Sequence, residues 1–144
     1  MGNSINLSIL IPLFPAVVAL FILILLVSFN RTMNRLTKPV SFLVVFSLLG
    51  SSLISLYLYL KKIEGELFLS NYVKVFESKN LVLHLNSLTE KIIICFTVIM
   101  AIVVGALFFR LPRQKGYVSL LIGISLISSS IIFAVMFLDF SVLI

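Results

Sequence analysis

Residues 88–109 read LTEKIIICFTVIMAIVVGALFF, and the 18 positions from 92 to 109 carry no charge. An uninterrupted apolar run of this length approaches the roughly 20 residues that a helix needs to cross a hydrocarbon core of ~30 Å. A barrel strand would instead alternate apolar and polar residues over about 10 positions. A helix also closes its own backbone hydrogen bonds where no water can help. Three further runs share the pattern, which places spans at about residues 5–29, 41–60, 88–109 and 117–138. The fold class that follows is all-α integral membrane. It is a single membrane domain over residues 1–144, with about four transmembrane helices.

Composition agrees, because 61% of the residues are hydrophobic and 11% charged, where a soluble domain has about a quarter charged. The first run has no early Lys or Arg and is longer than the apolar core of a cleavable signal, so it is expected to stay. Gly2 does not make a myristoylation site, since Asn6 stands where Ser or Thr is required. The net charge of +6 is spread over residues that flank the spans, without the aromatic and basic interleaving of a nucleic-acid surface. Anionic lipid headgroups are the partner this pattern fits. Arg31, Arg35 and Lys38 follow the first span and Arg110, Arg113 and Lys115 follow the third, with no acid among either set. Short loops rich in Lys and Arg stay on the cytoplasmic side, so these six are read as cytoplasmic-side anchors. Both termini and the second loop then face the other side.

That second loop, about residues 64–87, has strand character. In NLVLHLNSL, residues 80–88, leucines 81, 83 and 85 alternate with Val82, His84 and Asn86, the period of a half-buried strand. The preceding ELFLSNYVKVF is rich in aromatic and β-branched residues, and ESKN between the two has turn chemistry. A short extramembrane β-hairpin between helices 2 and 3 is therefore expected, with an edge on which a neighbouring subunit could dock. His84, the single histidine, and Cys95, the single cysteine, form no metal-ligand pattern. A structural histidine and a small buried thiol are the expected roles.

Small residues recur at helical spacing inside the spans. Ser47, Ser51 and Ser55 fall on one face of the second beside Gly50; Ala101 and Gly105 sit four apart in the third; Ser119 and Gly123, then Ser125 and Ser129, repeat the interval in the fourth. Such positions let helix backbones approach closely. Read functionally, the serines would be a polar lining for ions or water. Read structurally, each hydroxyl satisfies itself on a carbonyl of the preceding turn. Charged groups are scarce. Glu90 and Lys91 open the third span, where a solvated or first-turn role is expected. Asp139 falls about one bilayer thickness after Tyr117 at ~1.5 Å per residue, near the outer interface with His84, Asn86 and Glu90. No catalytic set, phosphate loop or redox ligand set is present in the sequence, so neither a catalytic residue nor a cofactor is assigned.

The order of these features resembles the N-terminal part of the antiporter-like membrane subunits of complex I, of the related plastoquinone-reducing photosynthetic complex and of Mrp-type sodium/proton antiporters. The resemblance is carried by IPLFPAV at 11–17, by LHLNSLTEKIIICFTVIMAIVVGALFF at 83–109, and by GYVSLLIGISLISSSIIFAVMFLDFSVLI at 116–144 after a cationic turn. In that family a D-x-L-(S/T) element closes the outer hairpin; here NSLT, residues 86–89, stands in its place with Asn86 for the Asp. The family's principal buried Glu lies on a helix that would start directly after a segment like DFSVLI, so none of its ion-translocating residues carries over. The resemblance implies a truncated or split antiporter-like subunit, a structural or assembly component of a proton- or sodium-translocating complex. Its partners would be other hydrophobic subunits in an energy-converting membrane, and any oxidoreductase activity would be theirs. The alternative is an independent small membrane protein, either an oligomeric transporter or an accessory subunit of another assembly.

Overall fold

The computed structural model describes residues 7–29, 36–62, 65–68, 82–110 and 116–137. A 3-10 turn, Leu7–Ile9, leads into α1, Leu10–Ser28. Then follow α2, Thr37–Lys61, a strand pair β1, Gly65–Phe68, and β2, Val82–Leu85, and the helices α3, Ser87–Arg110, and α4, Tyr117–Phe137. All four helices are long and apolar enough to cross a membrane, by length and composition. At ~1.5 Å of rise per residue they measure roughly 28 to 38 Å, against a hydrocarbon core of ~30 Å.

Local chemistry sets the helix ends. The second helix begins at Thr37 rather than at the expected position 41. Pro39 does not delay it, because in the first turn a helix has no intrahelical use for the missing N–H. Its last turn closes on Lys62, left-handed at φ 49°, whose N–H donates to Tyr59 O at 3.1 Å. Glu90 N–H donates to Asn86 O at 3.0 Å to open α3, and Leu120 N–H to Gly116 O at 3.0 Å to open α4. Gly116 has φ 95°, which a side chain would strain.

Each helix runs antiparallel to the next, and α2 packs most extensively on α3, α1 on α4 and α2. One end of the bundle holds the start of α1, the strand pair and the start of α3; we call it the ladder end. The other, the basic end, holds Lys38 and Arg110, both exposed. Two apolar clusters fill the interior. Towards the basic end, Ala19 and Ile22 meet Val44, Leu48, Val104 and Leu121. Towards the ladder end, Ile11 meets Leu58, Leu85, Ile93, Ile132 and Met136. Exposed residues such as Val27, Phe46, Leu53, Ile102 and Ile127 are as apolar as the core, the composition of a lipid-facing surface.

The strand pair corrects the expected hairpin. Phe68 stands opposite Val82 and Gly65 opposite Leu85 in an antiparallel ladder of four residue pairs. A tight turn at ESKN would have set residue 76 opposite residue 81. The described residues form no such tight hairpin, and residues 69–81, with the expected turn, lie outside them. Leu85 explains the seating of β2, because its side chain is 1% exposed in the ladder-end cluster. Burying it anchors the end of the strand more firmly than turn propensity would.

Candidate functional site

Between the two apolar clusters lies a polar layer, midway along α2, α3 and α4. It comprises Ser47, Ser51, Ser55, Thr97, Ser125, Ser128 and Ser129, all buried. Buried hydroxyls are costly without a hydrogen-bond partner, and each of these has one.

The layer is organised by the prolines of α1. Pro15 lies inside that helix and has no N–H, so the carbonyl four residues earlier, Ile11 O, lacks its intrahelical donor. Ser51 Oγ donates to that carbonyl at 2.7 Å. On the other side of α1, Ser129 Oγ donates to Pro12 O at 2.8 Å and Ser125 Oγ to Pro15 O at 2.7 Å. Three serines from two helices thus hold the proline-bearing turn of a third. The remaining hydroxyls close on their own helices: Ser47 on Val44 O at 2.8 Å, Ser128 on Ile124 O at 2.7 Å and Thr97 on Ile93 O at 2.8 Å. Ser55 reaches α3, donating to Glu90 O at 3.3 Å. Nearer the basic end, Ser41 Oγ donates to Thr37 O at 2.9 Å and lies 2.9 Å from Tyr117 Oη. Since Ser41 has one proton to give, Tyr117 is the donor in the second bond.

The small residues picked out by spacing have different surroundings. Ser47, Ser51, Ser55 and Ala101 are buried, and Gly50 faces Phe14, whose ring would stand 3.1 Å from an added Cβ. Ser119 is exposed, and a Cβ on Gly123 or Gly105 would meet nothing within 4 Å. On α4 the close approach is made instead by Ser125 and Ser129. The helical interval is the same for both pairs, and what separates them is the partner: Ser125 and Ser129 meet the Pro15 and Pro12 carbonyls of α1.

At the ladder end, Glu90 lies in the first turn of α3, one of the two roles expected of it, but is 1% exposed rather than solvated. Its helix starts beneath the end of α2, where it lines a cavity of about 380 Å³ with Tyr59, Leu60, Lys62 and Ser87. Thr89 beside it is fully buried, and its hydroxyl finds no hydrogen-bond partner among the described residues. Lys91 is exposed and sets its ammonium 5.5 Å from the centre of the Tyr59 ring, within cation–π range. His84 and Asn86 are half-buried, and His84 stands opposite Glu66 in the ladder. Cys95 is exposed on the apolar face of α3 rather than buried. Arg31, Arg35, Arg113, Lys115 and Asp139 lie outside the described residues. Among the described residues, no group of three His, Cys, Asp or Glu could hold a metal ion.

The chain matches no protein-family model and no curated protein.

Proposed function

We propose that this chain is a structural subunit of a membrane assembly, of the antiporter-like, proton- or sodium-translocating kind its sequence resembles, and that other chains supply the ion path. The observation that supports this most directly is the engagement of the mid-bundle serines. Their protons go to backbone carbonyls of α1, of α3 and of their own helices, so the layer joins helices rather than presenting hydroxyl protons to a passing ion. Proton and ion paths through membranes are ordinarily built on ionisable side chains facing the bundle interior, and the layer contains only Ser and Thr at its buried polar positions. In this reading the basic end faces the cytoplasm or its organellar equivalent, and the ladder end carries the docking surface for neighbouring subunits. Extraction in mild detergent, a native gel and mass spectrometry of the band test it. Migration with a larger hydrophobic complex is expected, and a stable homodimer running by itself would overturn it.

One observation favours the second reading, a small transporter working as an oligomer: Glu90 is a buried carboxylate beside a cavity. If that reading holds, proteoliposomes containing the protein by itself carry an ion flux that Glu90→Gln abolishes. Absence of flux in the unmodified protein removes it.

A further inference from the structure

Near the basic end, the outer faces of α2 and α3 part to leave a slot of about 160 Å³ lined by Ser41, Phe42, Val45, Gly105, Phe108 and Phe109. Its width comes from Gly105, where a side chain is missing and an added Cβ would touch nothing within 4 Å. Its walls are aromatic: the Phe42 and Phe108 rings lie 5.9 Å apart across the two helices, and Phe108 and Phe109 meet edge-on at 5.3 Å. The one polar side chain of the lining, Ser41, is committed to Thr37 O and Tyr117 Oη. The slot therefore offers an occupant only apolar contact.

The mouth has the opposite character. Lys38 precedes Phe42 by one helical turn and Arg110 follows Phe109 directly, and both are exposed at the basic end. Among the described residues no acid opposes them, because Glu66 and Glu90 lie at the ladder end. An apolar slot with an exposed cation at the adjoining end of each of its helices matches an amphiphile with a hydrocarbon tail and an anionic head. We propose that this slot is a binding site for one anionic phospholipid, with an acyl chain lying over Gly105 against the Phe42–Phe108 pair and the phosphate near Lys38 and Arg110. Each cation near an anionic headgroup strengthens the attraction roughly fivefold, and the tail adds apolar contact along the slot. The site rests on the membrane placement of α2 and α3 and is independent of which assembly the protein joins.

Native mass spectrometry of the purified protein, exchanged into micelles with equal phosphatidylglycerol and phosphatidylcholine, tests it. The unmodified protein is expected to retain one phosphatidylglycerol in preference to phosphatidylcholine. Gly105→Leu, whose Cβ enters open space at the slot, should abolish retention while the unfolding midpoint stays unchanged. Lys38→Gln with Arg110→Gln should lower the preference by at least tenfold. Equal retention of the two lipids by the unmodified protein overturns the proposal, as does undiminished retention by Gly105→Leu. If Gly105→Leu instead dissociates a dimer and leaves lipid retention as it was, the slot holds a second copy of the chain and the lipid site is excluded.

Discussion

A proline inside a helix leaves one carbonyl without its N–H, and in α1 that carbonyl, Ile11 O, falls in a buried layer where Ser51 takes the donor's place. Interhelical hydrogen bonds of this kind average ~0.6 kcal/mol in membranes and reach ~1.7. Ser51→Ala should therefore destabilise the bundle by about 1 kcal/mol, read from unfolding in mixed micelles. Pro15→Ala returns an N–H to Ile11 O, so in that background the same Ser51→Ala change should cost less than half as much. Equal costs in the two backgrounds would mean that Ser51 does not substitute for the missing donor. Thr89 makes the converse case, since its hydroxyl is buried with no partner among the described residues. Thr89→Val keeps the shape and removes the polar atom, and a gain of up to ~1 kcal/mol is expected where an unsatisfied group costs ~1–3. A loss of stability instead would reveal a bond to that hydroxyl. Neither feature was legible as such in the sequence. IPLFPAV shows two prolines in an apolar run, but only the packed neighbours reveal which hydroxyl meets which carbonyl.

Existence and type of the helices could be read from uninterrupted apolar runs, because length and continuity are properties of a single segment. Boundaries and partners were harder, because they belong to pairs of segments. The second span was expected from residue 41, and α2 instead starts at Thr37, with Pro39 in its first turn. The turn chemistry of ESKN suggested one strand register, whereas burial of Leu85 accompanies another. The same limit applies to glycine. Gly50 and Gly105 look alike in sequence, yet a Cβ on the first would stand 3.1 Å from the Phe14 ring and one on the second would enter open space. Gly50→Leu should force the Phe14 ring aside and push α1 from α2, costing ~1–3 kcal/mol as overpacked sites do. Gly105→Ala should be neutral or stabilise by up to ~1 kcal/mol, since it touches nothing and relieves the backbone entropy of a helical glycine. If the two variants shifted the unfolding midpoint alike, the Phe14 contact would not be what fixes α1 against α2.

Along the sequence the charges divide by connection. Four arginines and two lysines, at positions 31, 35, 38, 110, 113 and 115, fall in or beside the first and third connections, and five lysines from Lys61 to Lys91 in or beside the second, with four of the five acids. The cation totals nearly balance, so the expected orientation derives from the two short connections that hold cations and no acid. A labelling experiment reads the result directly. The one native thiol, Cys95, is exposed on the apolar face of α3, so Cys95→Ser clears the background at little structural cost. Lys61→Cys then marks the ladder end and Leu36→Cys the basic end, both at exposed positions. With an impermeant maleimide on intact cells, the thiol at position 61 should react at once, and the thiol at 36 only after the membrane is opened. The reverse pattern would place the basic end outside and move the proposed docking surface for other subunits, with Glu90 and the strand ladder, to the cytoplasmic face.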